Sequence, residues 1–146
     1  VKIMAIEKLE RDQVTAQFDE TNRIAYIRYS GILGSEESTA AYEWLSKLID
    51  AIGIENIYGE IFDFTAVTQF QPDNLINAKK KSRKLNLTVD IHQTPVAMIV
   101  HDTIQEEILR GPMRNVPENR RKRIVHSRDD ALRFFDEWHS ENTPQP

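Results

Sequence analysis

Val14, Ala16 and Phe18 alternate with the polar Thr15 and Gln17, and after the turn-forming run Asp19 to Asn22 an apolar stretch from Ile24 to Tyr29 follows. Alternation with a period of two on either side of polar turn residues predicts an antiparallel hairpin. Upstream, Ile3, Met4, Ile6 and Leu9 fit either an edge strand or a loosely docked arm. Beyond the turn bracketed by Gly31 and Gly34 the period changes. Ala41, Trp44, Leu45, Leu48, Ile49 and Ile52 recur at three- and four-residue spacing, the stripe of a helix that faces a sheet. Ser35 is placed to cap this helix, Glu36 and Glu37 suit its positive end, and Gly53 ends it with a left-handed residue.

The second half alternates strand and helix. Ile57 to Asp63 reads as a strand, followed by a short loop and by a helix that Pro72 opens and that runs to about Leu85. The stripe of this helix is thin, with Leu75, Ile76, Ala78 and Leu85 supplying most of it. Val96 to Val100, after Pro95, is too short for a helix and reads as a central strand buried on both faces. Asp102 and Gln105 form a capping-box pattern for a third helix with Ile104, Ile108 and Leu109 as its inner face, which Gly111 and Pro112 break or kink. An irregular stretch interrupted by Pro117 leads to a last short strand, Ile124 to His126. Ser127 and Asp130 then open a helix that turns Ala131, Leu132, Phe134, Phe135 and Trp138 inward. This order predicts an α/β fold, a mixed sheet of four to five strands with helices mainly on one face. Residues 1–139 are expected to form one domain, and residues 140–146, which lack an apolar anchor, a flexible tail.

Composition narrows the chemistry. A chain of 146 residues with 40% hydrophobic and 29% charged residues lies in the range of water-soluble domains able to fold without metal or disulfide. The absence of cysteine removes thiol catalysis, iron–sulfur clusters and cysteine-based zinc sites, and makes the cytoplasm the default location. No apolar run approaches the roughly 20 residues of a membrane span, so membrane insertion is not expected. The net charge of −4 is unevenly spread: residues 1–78 hold 6 basic and 13 acidic groups (−7), and residues 79–146 hold 13 and 10 (+3). Two basic runs, Lys79, Lys80, Lys81, Arg83 and Lys84, then Arg120, Arg121, Lys122 and Arg123, read as solvated segments. No aromatic is interleaved with them, so a nucleic-acid partner is not expected.

No nucleophile-and-base pair, phosphate-binding glycine loop or cofactor fingerprint occurs, and the expectation is a non-enzymatic chain without cofactor or metal. The strongest catalytic alternative is Asp63, His101 and His126, each closing a predicted parallel strand, where ligands gather in α/β sheets and imidazole is a good metal ligand. His92 and His139 read as surface histidines. Glu60, a carboxylate inside an apolar strand, reads as pointing outward with Tyr58 on a wetter face.

With YSGIL (Tyr29 to Leu33), FDFTAV (Phe62 to Val67), the VAMIV strand and the closing DDALRFFDEW (Asp129 to Trp138) in this order, the chain resembles the STAS family over residues 12–139, and within it the SpoIIAA-like branch. The resemblance implies a regulatory, protein-binding module of the anti-sigma-factor-antagonist kind. Antagonists of that family carry a phosphorylatable serine in a D-S-S-G-L pattern at the helix start; matching FDFTAV to the family strand puts Asp73 at the serine and Asn74 at its glycine. A carboxylate there is a fixed single charge, so a phosphorylation cycle at that position is not expected. Thr65 and Thr68 stand nearby and read as loop residues. Asp63, Thr65, Thr68, Asp73 and Asn74 are therefore the expected binding surface, with a protein as partner. The branch is also similar to Sec14-type lipid-transfer architecture. That implies the alternative of a small apolar ligand or lipid lined by Tyr26, Trp44, Phe62, Phe134, Phe135 and Trp138.

Overall fold

The hairpin forms as the alternation predicts. β1 (Leu9–Arg11) pairs antiparallel with β2 (Val14–Asp19), and β2 pairs antiparallel with β3 (Ile24–Leu33), Val14 opposite Tyr29 and Asp19 opposite Ile24. The computed structural model describes residues 6–88, 94–113 and 121–142. Asp19 closes the turn: its carboxylate accepts from the Thr21 and Asn22 amides at 3.0 and 3.1 Å and from Asn22 Nδ2 at 2.8 Å. From β3 onward every pairing is parallel. α1 (Ser35–Ile52) leads to β4 (Gly59–Phe70), α2 (Pro72–Thr88) to β5 (Val96–Ile99), α3 (Thr103–Met113) to β6 (Lys122–Val125), and α4 (Arg128–Asn142) follows.

The sheet order is β1-β2-β3-β4-β5-β6, six strands rather than four to five, because the first three residues of pairing at Leu9–Arg11 and the short β6 both join it. Each parallel strand lies beside its predecessor, so successive right-handed crossovers advance in one direction and put α1, α2 and α3 on the same face. α4 covers the other face. Two cores result. One, under α1, contains Trp44, Leu45, Leu48, Ile27, Phe62 and Val100, with Leu85 of α2 and Leu109 of α3; the other, under α4, contains Ile24, Ile61, Ile99, Val125, Phe134 and Phe135. No described helix is long and apolar enough to cross a membrane.

Several local expectations change. Gly34, not Ser35, precedes the first turn of α1, and its amide donates to Glu37 Oε2 at 3.1 Å. Gly111 and Pro112 fall inside the last turn of α3 instead of ending it. Ile104 and Ile108 are not on the inner face of α3, being 71% and 37% exposed; Leu109 points inward as expected, and Gln105 joins it there. Arg121 is not solvated but buried, with Nη1 donating to the Thr94 carbonyl at 3.0 Å, while Arg120, His92 and residues 114–120 lie outside the described residues.

Glu60 also departs from its reading. Tyr58 precedes the strand and turns toward α4, whereas Glu60 is 3% exposed and lies on the same side as Phe62. Burial pushes its carboxyl above the ordinary glutamate value of 4.5, against the opposing pull of Arg121 and Lys122, and among the described residues neither Glu60 Oε2 nor Arg121 Nε finds a hydrogen-bond partner. An acid with a raised folded-state pKa binds more proton in the native than in the unfolded state, so stability falls as pH rises from 4.5 through the raised value. Glu60→Gln is expected to remove that fall, measured as the difference in Tm between the two proteins across pH. Parallel profiles would show that Glu60 does not titrate in this way.

Candidate functional site

β4 does not end at Asp63. It runs on to Phe70, and the register against β3 slips twice: Arg28 faces Asp63 but Ser30 faces Ala66, and Gly31 faces Val67 but Ile32 faces Gln69. Each slip inserts one extra residue into β4, which is a bulge. On the partner strand Gly31 takes φ of +66° beside the second slip, a conformation that a side chain would strain. The bulges explain why this segment reads as a loop. Phe64 and Val67 are both buried at a spacing of three, so the period of two is lost while the strand continues.

β5 pairs only with Glu60 to Asp63, so the rest of β4 loses its neighbour on that side. Gln105 takes the place of a strand. From the first turn of α3 its Nε2 donates to the carbonyls of Phe64 at 2.9 Å and Val67 at 3.0 Å, while its Oε1 accepts from the His101 amide at 3.1 Å. The side chain is 6% exposed. Its orientation is set by Asp102, whose Oδ1 accepts from the Gln105 amide at 2.8 Å. From the sequence Gln105 reads only as a helix-capping residue; the signal for its role is a polar residue four positions before the buried Leu109 on the same helix face.

The first bulge is closed from the other face. Asp63 Oδ1 accepts from the Thr65 amide at 2.9 Å and from the Thr65 hydroxyl at 2.7 Å, and Oδ2 accepts from the Tyr26 hydroxyl at 2.5 Å. Burial, with help from this bond and the carboxylate charge, pushes the Tyr26 phenol up to about 12. Asp63 and Thr65 are thus brought together as a structural clasp. Thr68 is exposed at the second bulge, and Asp73 is exposed in the first turn of α2, where the backbone places Asn74 as well. A side chain the sequence did not flag joins the two helix starts: Asn77 Nδ2 contacts Ser38 Oγ at 2.7 Å, Thr39 Oγ1 at 3.0 Å and the Ser35 carbonyl at 3.2 Å. The Gln71 amide donates to the Leu33 carbonyl at 2.9 Å, so β3 and β4 finish side by side and α1 and α2 start side by side.

The catalytic alternative does not assemble. His101 Nδ1 lies 2.8 Å from Asp102 Oδ2, and His126 Nε2 lies 3.2 Å from Glu106 Oε1, while Asp63 is committed to Thr65 and Tyr26. Among the described residues no three His, Asp or Glu side chains are grouped to hold a metal. Among the described residues the parallel strands advance in one direction, without the reversal of strand order that opens a ligand crevice in doubly wound folds. The aromatic set proposed for a cavity is divided by the sheet, Trp44 and Phe62 on the α1 side and Tyr26, Phe134, Phe135 and Trp138 on the α4 side. His139 is not a free surface residue: its ring stacks on Tyr58 with centroids 4.1 Å apart and Nε2 meets the Tyr58 carbonyl at 2.7 Å.

No protein-family model matches the chain, and no curated protein matches it in sequence. Among solved structures it is similar to a DUF3478-family protein with a SpoIIAA-like fold from Shewanella loihica PV-4, at 18% identity and a TM-score of 0.54 over 84% of this chain and 93% of that one. An anti-sigma factor antagonist from Mycobacterium paratuberculosis superposes less closely, with 18% identity and a TM-score of 0.48 over 87% and 97%. The chain thus has an α/β fold of the SpoIIAA-like kind.

Proposed function

We propose that the chain is a non-enzymatic regulatory module that binds a protein partner through the end of β4 and the start of α2. The observation that carries this reading is the β3–β4 ribbon, which extends past β5 and is held in place by Gln105 while presenting Thr68 and Asp73 to solvent. Such a rigid, polar projection suits recognition, since its side chains lose little freedom on binding. Asp63 and Thr65 support the surface from beneath. Asp73, with Asn74 beside it, supplies a permanent charge at a helix start in place of a phosphorylation switch. Thr65 is a poor phosphate acceptor in this reading, because its hydroxyl already donates to the Asp63 carboxylate.

Photo-crosslinking residues placed at Thr68 or Asp73, with exposed Glu43 on α1 as control, test the surface in native extract. A discrete protein adduct is expected from Thr68 and Asp73 and not from Glu43. Equal adducts at all three positions, a phosphate acquired by Thr65 or Thr68, or a lipid co-purifying in native mass spectrometry would overturn the reading.

A further inference from the structure

The large apolar side chains left in water among the described residues are Ile32, Ile76, Ile104 and Ile108, and three of these belong to α2 and α3. Gln105 and Leu109 anchor α3 to the sheet. One position on from Gln105, Glu106 leans toward the residue that follows β6, its Oε1 meeting His126 Nε2 at 3.2 Å. Successive helical residues are separated by about 100°, so Ile104, one position back, lies on the opposite flank, the side of α2, with Ile108 one turn along on the same flank. α2 packs beside α3. Its inner side is marked by Asn77, which reaches α1, and by buried Leu85, leaving Ile76 (62% exposed) on the outer face. The residues three, four and seven positions beyond Ile76 share that face, and they are Lys79, Lys80 and Arg83.

An apolar flank on α3 therefore runs alongside a helix whose outer face begins with an isoleucine and continues in cations, on a chain whose net charge is −4. We infer that this two-helix face receives an acidic amphipathic helix of a partner protein. The apolar residues of that helix would lie on Ile76, Ile104 and Ile108 and its carboxylates would meet Lys79, Lys80 and Arg83. The inference rests on the reading of the α2 start as a docking surface and adds the chemistry of what docks. Helix-in-groove recognition uses anchors at three- and four-residue spacing, which matches the Ile104 and Ile108 pair. Charge of one sign on the receptor speeds encounter and selects the opposite sign. An anionic lipid surface fits less well: Glu107, 63% exposed and 3.7 Å from Arg110, and exposed Asp73 border the same face, and the exposed large apolar side chains described on it are all isoleucine, with none of them an aromatic of the kind that settles at a bilayer interface.

A fluorescent synthetic peptide with leucines at helical spacing and glutamates on both flanks, a scrambled peptide of the same composition, and phosphatidylserine-containing vesicles are the probes. Anisotropy should show the ordered peptide binding at least about tenfold more tightly than the scrambled one and weakening with salt. Joint Lys80→Glu and Arg83→Glu should lower affinity and abolish the salt dependence, and joint Ile104→Ser and Ile108→Ser should lower affinity while retaining it. All four side chains are exposed or border the surface, so circular dichroism should be unchanged in both variants. Equal binding of the two peptides, vesicle binding in place of peptide binding, or a concentration-dependent dimer that the isoleucine substitutions dissolve would overturn the inference. If adducts at Thr68 and Asp73 persist in the charge-reversed protein, the docking surface stands and only the acidic-helix chemistry fails.

Discussion

Phe135→Ala is expected to lower the unfolding free energy by about 3–5 kcal/mol, the largest loss from any substitution considered for this chain. The ring is fully buried and lies directly on the backbone of Gly59, where a Cβ would sit 2.5 Å from Phe135 Cε2. That contact lets α4 approach the sheet at the first residue of β4. A loss of this size is a large part of the ordinary 5–15 kcal/mol margin of a domain. The converse substitution, Gly59→Ala, should cost about 1–3 kcal/mol by overpacking. The two are expected to be strongly non-additive, because removing the ring leaves room for the methyl group. Urea unfolding of the two single variants and the double variant measures this. A double variant as unstable as the sum of the singles would show that the ring and the glycine are not coupled.

Gln105→Leu should be the second most damaging, since it strands the carbonyls of Phe64 and Val67 in a buried place, each at a cost of about 1–3 kcal/mol. The consequence is local as well as global. With the Gln105 hydrogen bonds gone on that side, the extension of β4 should open without the whole sheet unfolding, and amide exchange from Ala66 to Phe70 should accelerate more than in Ile24 to Ile27. Uniform acceleration in both segments would mean that Gln105 contributes to the core in general. Unchanged exchange would mean that the bulged strand holds itself. Either result would weaken the case that a rigid ribbon presents Thr68 and Asp73.

Wherever burial is governed by regular spacing, the pattern is sufficient: the β2–β3 hairpin, the α1 stripe, the both-face burial of β5 and the inward residues of α4 at Ala131, Phe134 and Phe135 all follow from periodicity. The turn at Asp19 and the Ser127 cap, whose Oγ accepts from the Asp130 amide at 3.1 Å, are likewise local chemistry. The expected site is only partly legible. Asp63 and Thr65 are joined and Thr68 and Asp73 are exposed, but the part of the strand beyond Asp63, which carries Thr65 and Thr68, reads as a loop, because two extra residues shift the alternation without ending the pairing.

From its residues alone this chain declares an α/β order, its hairpin, its helix starts and its lack of cysteine chemistry, because each of these depends on neighbours a few positions away. Which carbonyls Gln105 would satisfy, that Glu60 and Arg121 would be buried, that Ile104 and Ile108 would be left in water, and that His101 and His126 would each turn to a carboxylate of their own were decided by tertiary structure. These outcomes depend on where a distant strand stops and how a helix rolls against the sheet. β5 ending opposite Asp63 leaves β4 carbonyls unpaired, and α3 turns a polar side chain inward to meet them at the expense of two isoleucines.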